Sequence, residues 1–269
     1  MNYRHGYHAG NFADVVKHIA LVAILLHLRK KDTAFSVVDS HGGRGAYDLS
    51  GEQAARTDEA RNGVARLTDL SGDMPGALFT YLSLVRESRL YPGSPLIAAR
   101  LLRPQDRLVA VEKHPEEFAA LKDVLSPFRN SSAEKGDGFG RAIKLLPPPS
   151  RRGLVLLDPP FESSDDFSDL ARTLRDGYRK FATGVYLAWY PIKSQAEADG
   201  FTGEVLAAGM AKAMVIDACV PAVEGKLGSA GLLVINPPYG FEATMKESAA
   251  LIAPKLEARI GTHWIAGSE

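Results

Sequence analysis

The chain has 269 residues, 45% hydrophobic and 24% charged, an ordinary globular composition that suffices for one large α/β domain or a domain carrying an insertion. Its 32 basic and 32 acidic residues cancel, so bulk electrostatics gives no pointer to nucleic acid and any polyanion-binding surface is local. A single cysteine, Cys219, excludes a disulfide framework and a multi-cysteine zinc site, and makes a reducing, cytoplasmic setting the expectation.

In chain order, residues 14–29 place Val15, Ile19, Val22, Ala23 and Leu26 on one helical stripe that ends in basic residues, as suits a helix C-terminus. The apolar run 19–28 inside it contains His27 and is too short to span a bilayer. Asp14 and His18 precede it where a leader would be uncharged, so no signal peptide is expected. Residues 35–39 read as the first core strand. Residues 50–90 show no comparable strand but two helical stretches, 52–67 and 77–86, separated by the breaker Ser71-Gly72-Asp73-Met74-Pro75-Gly76. This predicts a helical insertion (50–90) within a domain made of 1–49 and 91–269. A helix over 94–102 and a strand over 107–112 follow, then a helix over 115–128, a strand near 134–138 and the apolar strand 153–157. Further strands are expected at 184–189, 212–220 and 231–236. Alternating helices and strands point to a parallel sheet.

Several chemically suggestive groups fall at the carboxyl ends of these strands, where open α/β sheets bind ligands. Asp39-Ser40-His41-Gly42-Gly43-Arg44-Gly45 is a glycine-rich turn that allows close backbone approach to a ligand. It lacks the G-x-G-x-x-G spacing of a dinucleotide site and the Lys-Ser/Thr of a phosphate loop. Glu112 ends the next strand, where an acid accepts hydrogen bonds from both hydroxyls of a ribose. Gly136-Asp137-Gly138 offers a carboxylate for an adenine amino group or is a plain turn. Asp158-Pro159-Pro160-Phe161 ends the strand 153–157. Two prolines without N–H groups fix the exit direction and leave carbonyls as acceptors. A carboxylate, a carbonyl and a ring together suit a planar base bearing an NH₂, though a rigid turn has the same sequence. A second such tetrapeptide, Asn236-Pro237-Pro238-Tyr239, follows the last expected strand and should emerge on the side of the sheet away from the first.

The order glycine loop, ribose acid, adenine acid and Asp-Pro-Pro-Phe resembles class I, Rossmann-like, S-adenosylmethionine-dependent methyltransferases. With Tyr3-Arg4-His5-Gly6-Tyr7-His8-Ala9-Gly10-Asn11-Phe12, Asp14 to His18, Tyr91-Pro92-Gly93-Ser94-Pro95, Glu112-Lys113-His114-Pro115, Gly177 to Gly184 and Trp189-Tyr190-Pro191, the chain resembles the RlmJ family over nearly its whole length. The resemblance implies N6 methylation of an adenine in 23S ribosomal RNA, position 2030 in the family, by a cytoplasmic enzyme expected to be a monomer with no membrane partner. Phe161 replaces the family's Tyr, which keeps the stacking face but leaves open a guanine-N2 target. Planar-amide chemistry also leaves open a protein glutamine.

Carried onto this sequence, the resemblance puts cofactor contacts at His18, His41, Ser94, Glu112, Asp137, Gly138 and Asp158. It puts catalysis on Asp158, the Pro159 carbonyl and Phe161. Tyr3, Arg4, His5, His8 and Lys17 form an aromatic and basic segment suited to RNA. Arg151, Arg152 and Lys144 read more readily as a solvated cluster. No metal is expected.

Overall fold

A computed structural model describes residues 8–50 and 58–269. Its core is an eight-stranded sheet of β1 (Ser36–Asp39), β4 (Arg107–Glu112), β5 (Ser131–Lys135), β6 (Gly153–Leu157), β7 (Val185–Pro191), β8 (Ala213–Cys219), β9 (Ser229–Ile235) and β10 (Arg259–Ala266). The order is β10-β8-β9-β7-β6-β1-β4-β5. β5, β4, β1, β6 and β7 are mutually parallel, β9 runs antiparallel between β7 and β8, and β10 is antiparallel on the β8 edge. A reversal of winding direction beside β1 opens the crevice in which such sheets hold ligands.

The central strands are apolar on both faces because both faces are covered. Along β6, Leu154 and Leu156 join one core while Val155 and Leu157 join the other. β7 divides likewise, Val185 and Leu187 against Tyr186, Ala188 and Tyr190. The first core receives α1 (Phe12–Arg29), α4 (Ser94–Leu101) and α9 (Phe241–Leu256); the second receives α6 (Gly138–Lys144), α7 (Asp166–Lys180) and α8 (Gln195–Ala207). α5 (Pro115–Leu125) packs beside β4 and β5.

Asn11 caps α1 by accepting the Asp14 N–H at 2.8 Å, as its residue type favours. The helix is buried nearly all round rather than on one stripe; Asp14, Lys17 and His18 are as enclosed as its aliphatic residues. A short ladder pairs β2 (Ala46–Tyr47) with β3 (Tyr91–Pro92). The chain between them leaves and rejoins the sheet domain through it. Among its described residues are α2 (Glu59–Asn62), a 3-10 turn (Val64–Leu67) and α3 (Gly76–Arg86). Leu78, Tyr81 and Leu82 of α3 are buried in the same core as α1.

Two expectations need correction. The third parallel strand ends at Lys135, and Asp137 caps the helix that follows, accepting the Gly140 N–H at 2.8 Å. The strand 229–235 is not the last, since β10 extends the sheet by one.

Candidate active site

At the carboxyl edge of the parallel strands lies a cavity of about 430 Å³. His18, His41, Ser94, Glu112, Asp137, Gly138 and Asp158, widely spaced in sequence, all line it, with Pro159 and Phe161. The parallel register achieves this, because β1, β4 and β6 deliver their last residues to one edge.

The glycine loop reaches Glu112 through the backbone: Gly43 N–H donates to Oε2 at 2.9 Å and His114 N–H to Oε1 at 2.6 Å. Burial raises the Glu112 pKa, with these backbone N–H groups opposing the rise. A carboxylate has about four acceptor positions, so Glu112 retains capacity for a ribose diol. Gly138 must be glycine for a packing reason. A Cβ there would sit 2.1 Å from the Ser40 carbonyl and 2.6 Å from His41 Nε2. Its absence lets the start of α6 approach the loop after β1 and form a narrow cradle. His41 packs edge-on against Phe139 at 4.9 Å and shares a 2.7 Å hydrogen bond with Ser40 Oγ. Burial lowers its pKa to about 4, so the ring is neutral near pH 7. His18 Nδ1 is 2.9 Å from the Tyr91 hydroxyl.

Ser94 is expected to meet the ligand directly, but its hydroxyl donates to Asp39 Oδ2 at 2.7 Å. Asp39 is 1% exposed. Burial is the main cause of its pKa of about 7, with Ser94 opposing and Asp158 assisting the rise.

Lys17 is the largest departure from expectation. It is no phosphate-facing residue: its ammonium is buried between Asp14 Oδ1 at 2.7 Å and Asp158 Oδ2 at 2.5 Å. Burial disfavours its charge, yet the two carboxylates outweigh burial and raise its pKa. The Asp14–Lys17 spacing on one helix is visible in sequence; a partner 141 residues away is not.

Phe161 has φ +52°, a left-handed conformation uncommon outside glycine and concentrated at functional turns. Its ring lies 4.7 Å from Phe167 and 5.6 Å edge-on from Trp189, forming an aromatic wall. Trp189 also lines the cavity. Sequence reading missed it as a site residue, although its position near the end of β7 follows the same strand-end rule that selected Asp158.

Tyr3, Arg4 and His5 lie outside the described residues. His8 lines the cavity and bonds Glu59 Oε1 through Nδ1 at 2.9 Å. Arg152 donates to the Leu28 and Thr33 carbonyls at the opposite edge of the sheet. The second tetrapeptide is also there, as expected: β9 is antiparallel, and Asn236 Nδ2 donates to Ala182 O and Gly184 O, both at 2.8 Å. Among the described residues no cluster of His, Cys, Asp and Glu forms a metal site, and no helix is long and apolar enough to cross a membrane.

Sheet order, glycine loop, strand-end acids and Asp-Pro-Pro-Phe define a class I, Rossmann-like methyltransferase. A family model described as "Ribosomal RNA large subunit methyltransferase D, RlmJ" matches residues 32–266. Proteins called ribosomal RNA large subunit methyltransferase J are 39% identical in Haemophilus influenzae, covering 92% of this chain and 91% of that protein, and 38% identical in Escherichia coli K12, covering 95% and 94%. The crystal structure of a Legionella pneumophila protein is 30% identical, with TM-score 0.89 over 97% of this chain and 99% of that one. The chain belongs to the RlmJ family of ribosomal RNA methyltransferases, and that family and fold imply S-adenosylmethionine as methyl donor.

Proposed function

We propose that the protein methylates the exocyclic N6 of an adenine in 23S ribosomal RNA, at the family position 2030, after the base has swung out of its stack. The observation that carries this reading is one cavity shared by Asp158-Pro159-Pro160-Phe161, Glu112 and the Gly138 cradle. The residues fit S-adenosylmethionine: Glu112 would hold the ribose hydroxyls, Asp137 the adenine amino group, and the glycine-loop backbone with His41 the methionine end, where Ser94, its hydroxyl hydrogen bonded to Asp39, could only accept from the ammonium. When bound, S-adenosylmethionine supplies a methyl group activated on a sulfonium.

The protein's own part is positioning and electrostatics. Phe161, backed by Trp189, offers a stacking face to the flipped base. The Pro159 carbonyl and the Asp158 carboxylate accept the two N6 hydrogens, which favours a pyramidal nitrogen whose lone pair is free to attack. Lys17 fixes Asp158 through Oδ2, leaving the other oxygen to the base. As the N–C bond forms at the expense of the methyl–sulfur bond, whose electron pair stays on sulfur, positive charge grows on N6, and Asp158 would stabilise it and take the released proton during or after transfer.

We further read residues 50–90 as an inserted helical subdomain and the molecule as a cytoplasmic monomer. The test is incubation with labelled S-adenosylmethionine and protein-free, unmodified 23S RNA, followed by nucleoside digestion and mass spectrometry. N6-methyladenosine is expected. N2-methylguanosine would move the target to guanine, and no labelled nucleoside, with cofactor binding shown separately, would move the search to a protein glutamine.

A further inference from the structure

A second cleft of about 270 Å³ opens beside the cavity, between α2 with its following turn, the β8–β9 loop and the end of α9. Asn11 and Leu227 line both spaces, so the two are neighbours across one shared wall. Phe12 and Leu256, 6% and 2% exposed, line its apolar interior, while Pro221 and the 57%-exposed Val223 add wall from the loop. Polar groups stand along the rim.

Arg66 is the most informative of these. Its Nη1 lies 3.0 Å from Glu257 Oε1, and its Nη2 donates to Asn62 Oδ1 at 3.1 Å. Guanidinium donors lie in the plane of the group, so these bonds fix the plane and leave its flat faces as stacking surface. Lys226 supplies a second cation at the loop.

We propose that this cleft is a second RNA subsite, which receives the nucleobase next to the one placed in the cavity. The inference rests on the RNA reading above and names a further part of the substrate. A planar, polar-edged base matches apolar walls with an Arg plane, since unstacked RNA bases are held by aromatic faces and guanidinium planes. Arg66 is paired with Glu257, and Glu59 lines the cleft together with Lys226, so the charges there balance and recognition rests on the base rather than on the phosphate. Its place beside the cavity, across the wall of Asn11 and Leu227, suits the next base along one strand. Holding the flanking base there would also keep the strand open around the target.

The test uses the full chain and a 23S-derived hairpin in which either neighbour of the methylated adenine is replaced by an abasic residue. One replacement is expected to raise the RNA KM about tenfold or more, the scale of losing one stacked base, with kcat at saturating RNA and S-adenosylmethionine Kd little changed. Arg66→Lys, which keeps the charge but loses the plane, and Val223→Glu should raise KM on intact RNA and add little on the abasic RNA. Unchanged KM for both abasic hairpins, with methylation otherwise normal, would overturn the subsite alone. So would variant and abasic effects that simply multiply. Wild-type protein that methylates no RNA would instead remove the parent reading, and the subsite with it.

Discussion

At the scale of the residue, two strand-end carboxylates, one paired with an ammonium and one with a hydroxyl, divide their work. Asp158 meets Lys17 through Oδ2 and faces the cavity, so Asp158→Asn keeps size and most packing but removes the charge that stabilises developing positive charge on N6. Methyl transfer should fall at least about a hundredfold, the scale expected for one catalytic electrostatic group. Cofactor affinity by calorimetry should stay within a few-fold, and near-normal turnover would remove Asp158 from the mechanism. Asp39 behaves oppositely because it is buried against a hydroxyl instead of a cation. Its pKa rises from 3.8 to about 7, mainly through burial. Between those values the folded chain keeps a proton that the unfolded chain has lost. Unfolding therefore releases a proton, and this group's contribution to stability declines as pH rises through that window, with its full penalty above about pH 7. Urea midpoints across that range should show a downward component in the wild type that Asp39→Asn lacks; parallel profiles would contradict it.

Element by element, the difference between legible and illegible parts has a physical cause. α1 was readable as a helix from its apolar spacing, but a single stripe was all that spacing could specify. That Lys17 and His18 are buried as well follows from Asp158 after β6, Tyr91 of β3 and Tyr81 of α3 closing over them, a tertiary fact with no local signal. Lys17→Met consequently tests more than charge. It leaves Asp14 and Asp158 enclosed without their cation, an imbalance that typically costs about 3–5 kcal/mol. Denaturant titration should show that loss, and Lys17→Arg should recover part of it by restoring a cation in altered geometry.

The two Pro-Pro tetrapeptides make the complementary case, because they are nearly equal as text and separated only by strand direction. Asn236 has φ +53° and bridges two carbonyls before β7, which makes it a turn-former; Asn tolerates this conformation well. Asn236→Ala should cost about 1–3 kcal/mol through the lost hydrogen bonds and the left-handed backbone, while kcat per folded molecule is unchanged. Loss of kcat at full stability would reverse that assignment.

On the scale of the whole molecule, β1, β4, β6 and β7 were legible because strands covered on both faces are continuous apolar runs, whereas the edge strand β5, Ser131–Lys135, is polar and was expected too late in the chain. β10 was not legible, because Arg259-Ile260-Gly261-Thr262-His263-Trp264 is a half-exposed strand broken by glycine and carrying charge. Those same features suit it to be an edge. It has a register shift between Trp264 and Ala266, and bulges and charged side chains discourage edge-to-edge pairing. Trp264 Nε1 donates to Glu242 Oε2 at 2.7 Å, tying the strand to α9. Beneath it lies β8, whose Ala213 to Ile216 are fully buried and whose backbone groups pair with β10 along nearly its whole length. Truncation after Ala258 would turn β8 into an exposed, flat, apolar edge, a template for pairing with a second chain. Sedimentation velocity should then show concentration-dependent association of the truncated chain, against a single monomeric boundary for the full chain. A monomeric, soluble truncation would mean that β10 is dispensable as an edge guard, and a full chain that already associates would overturn the proposed monomer.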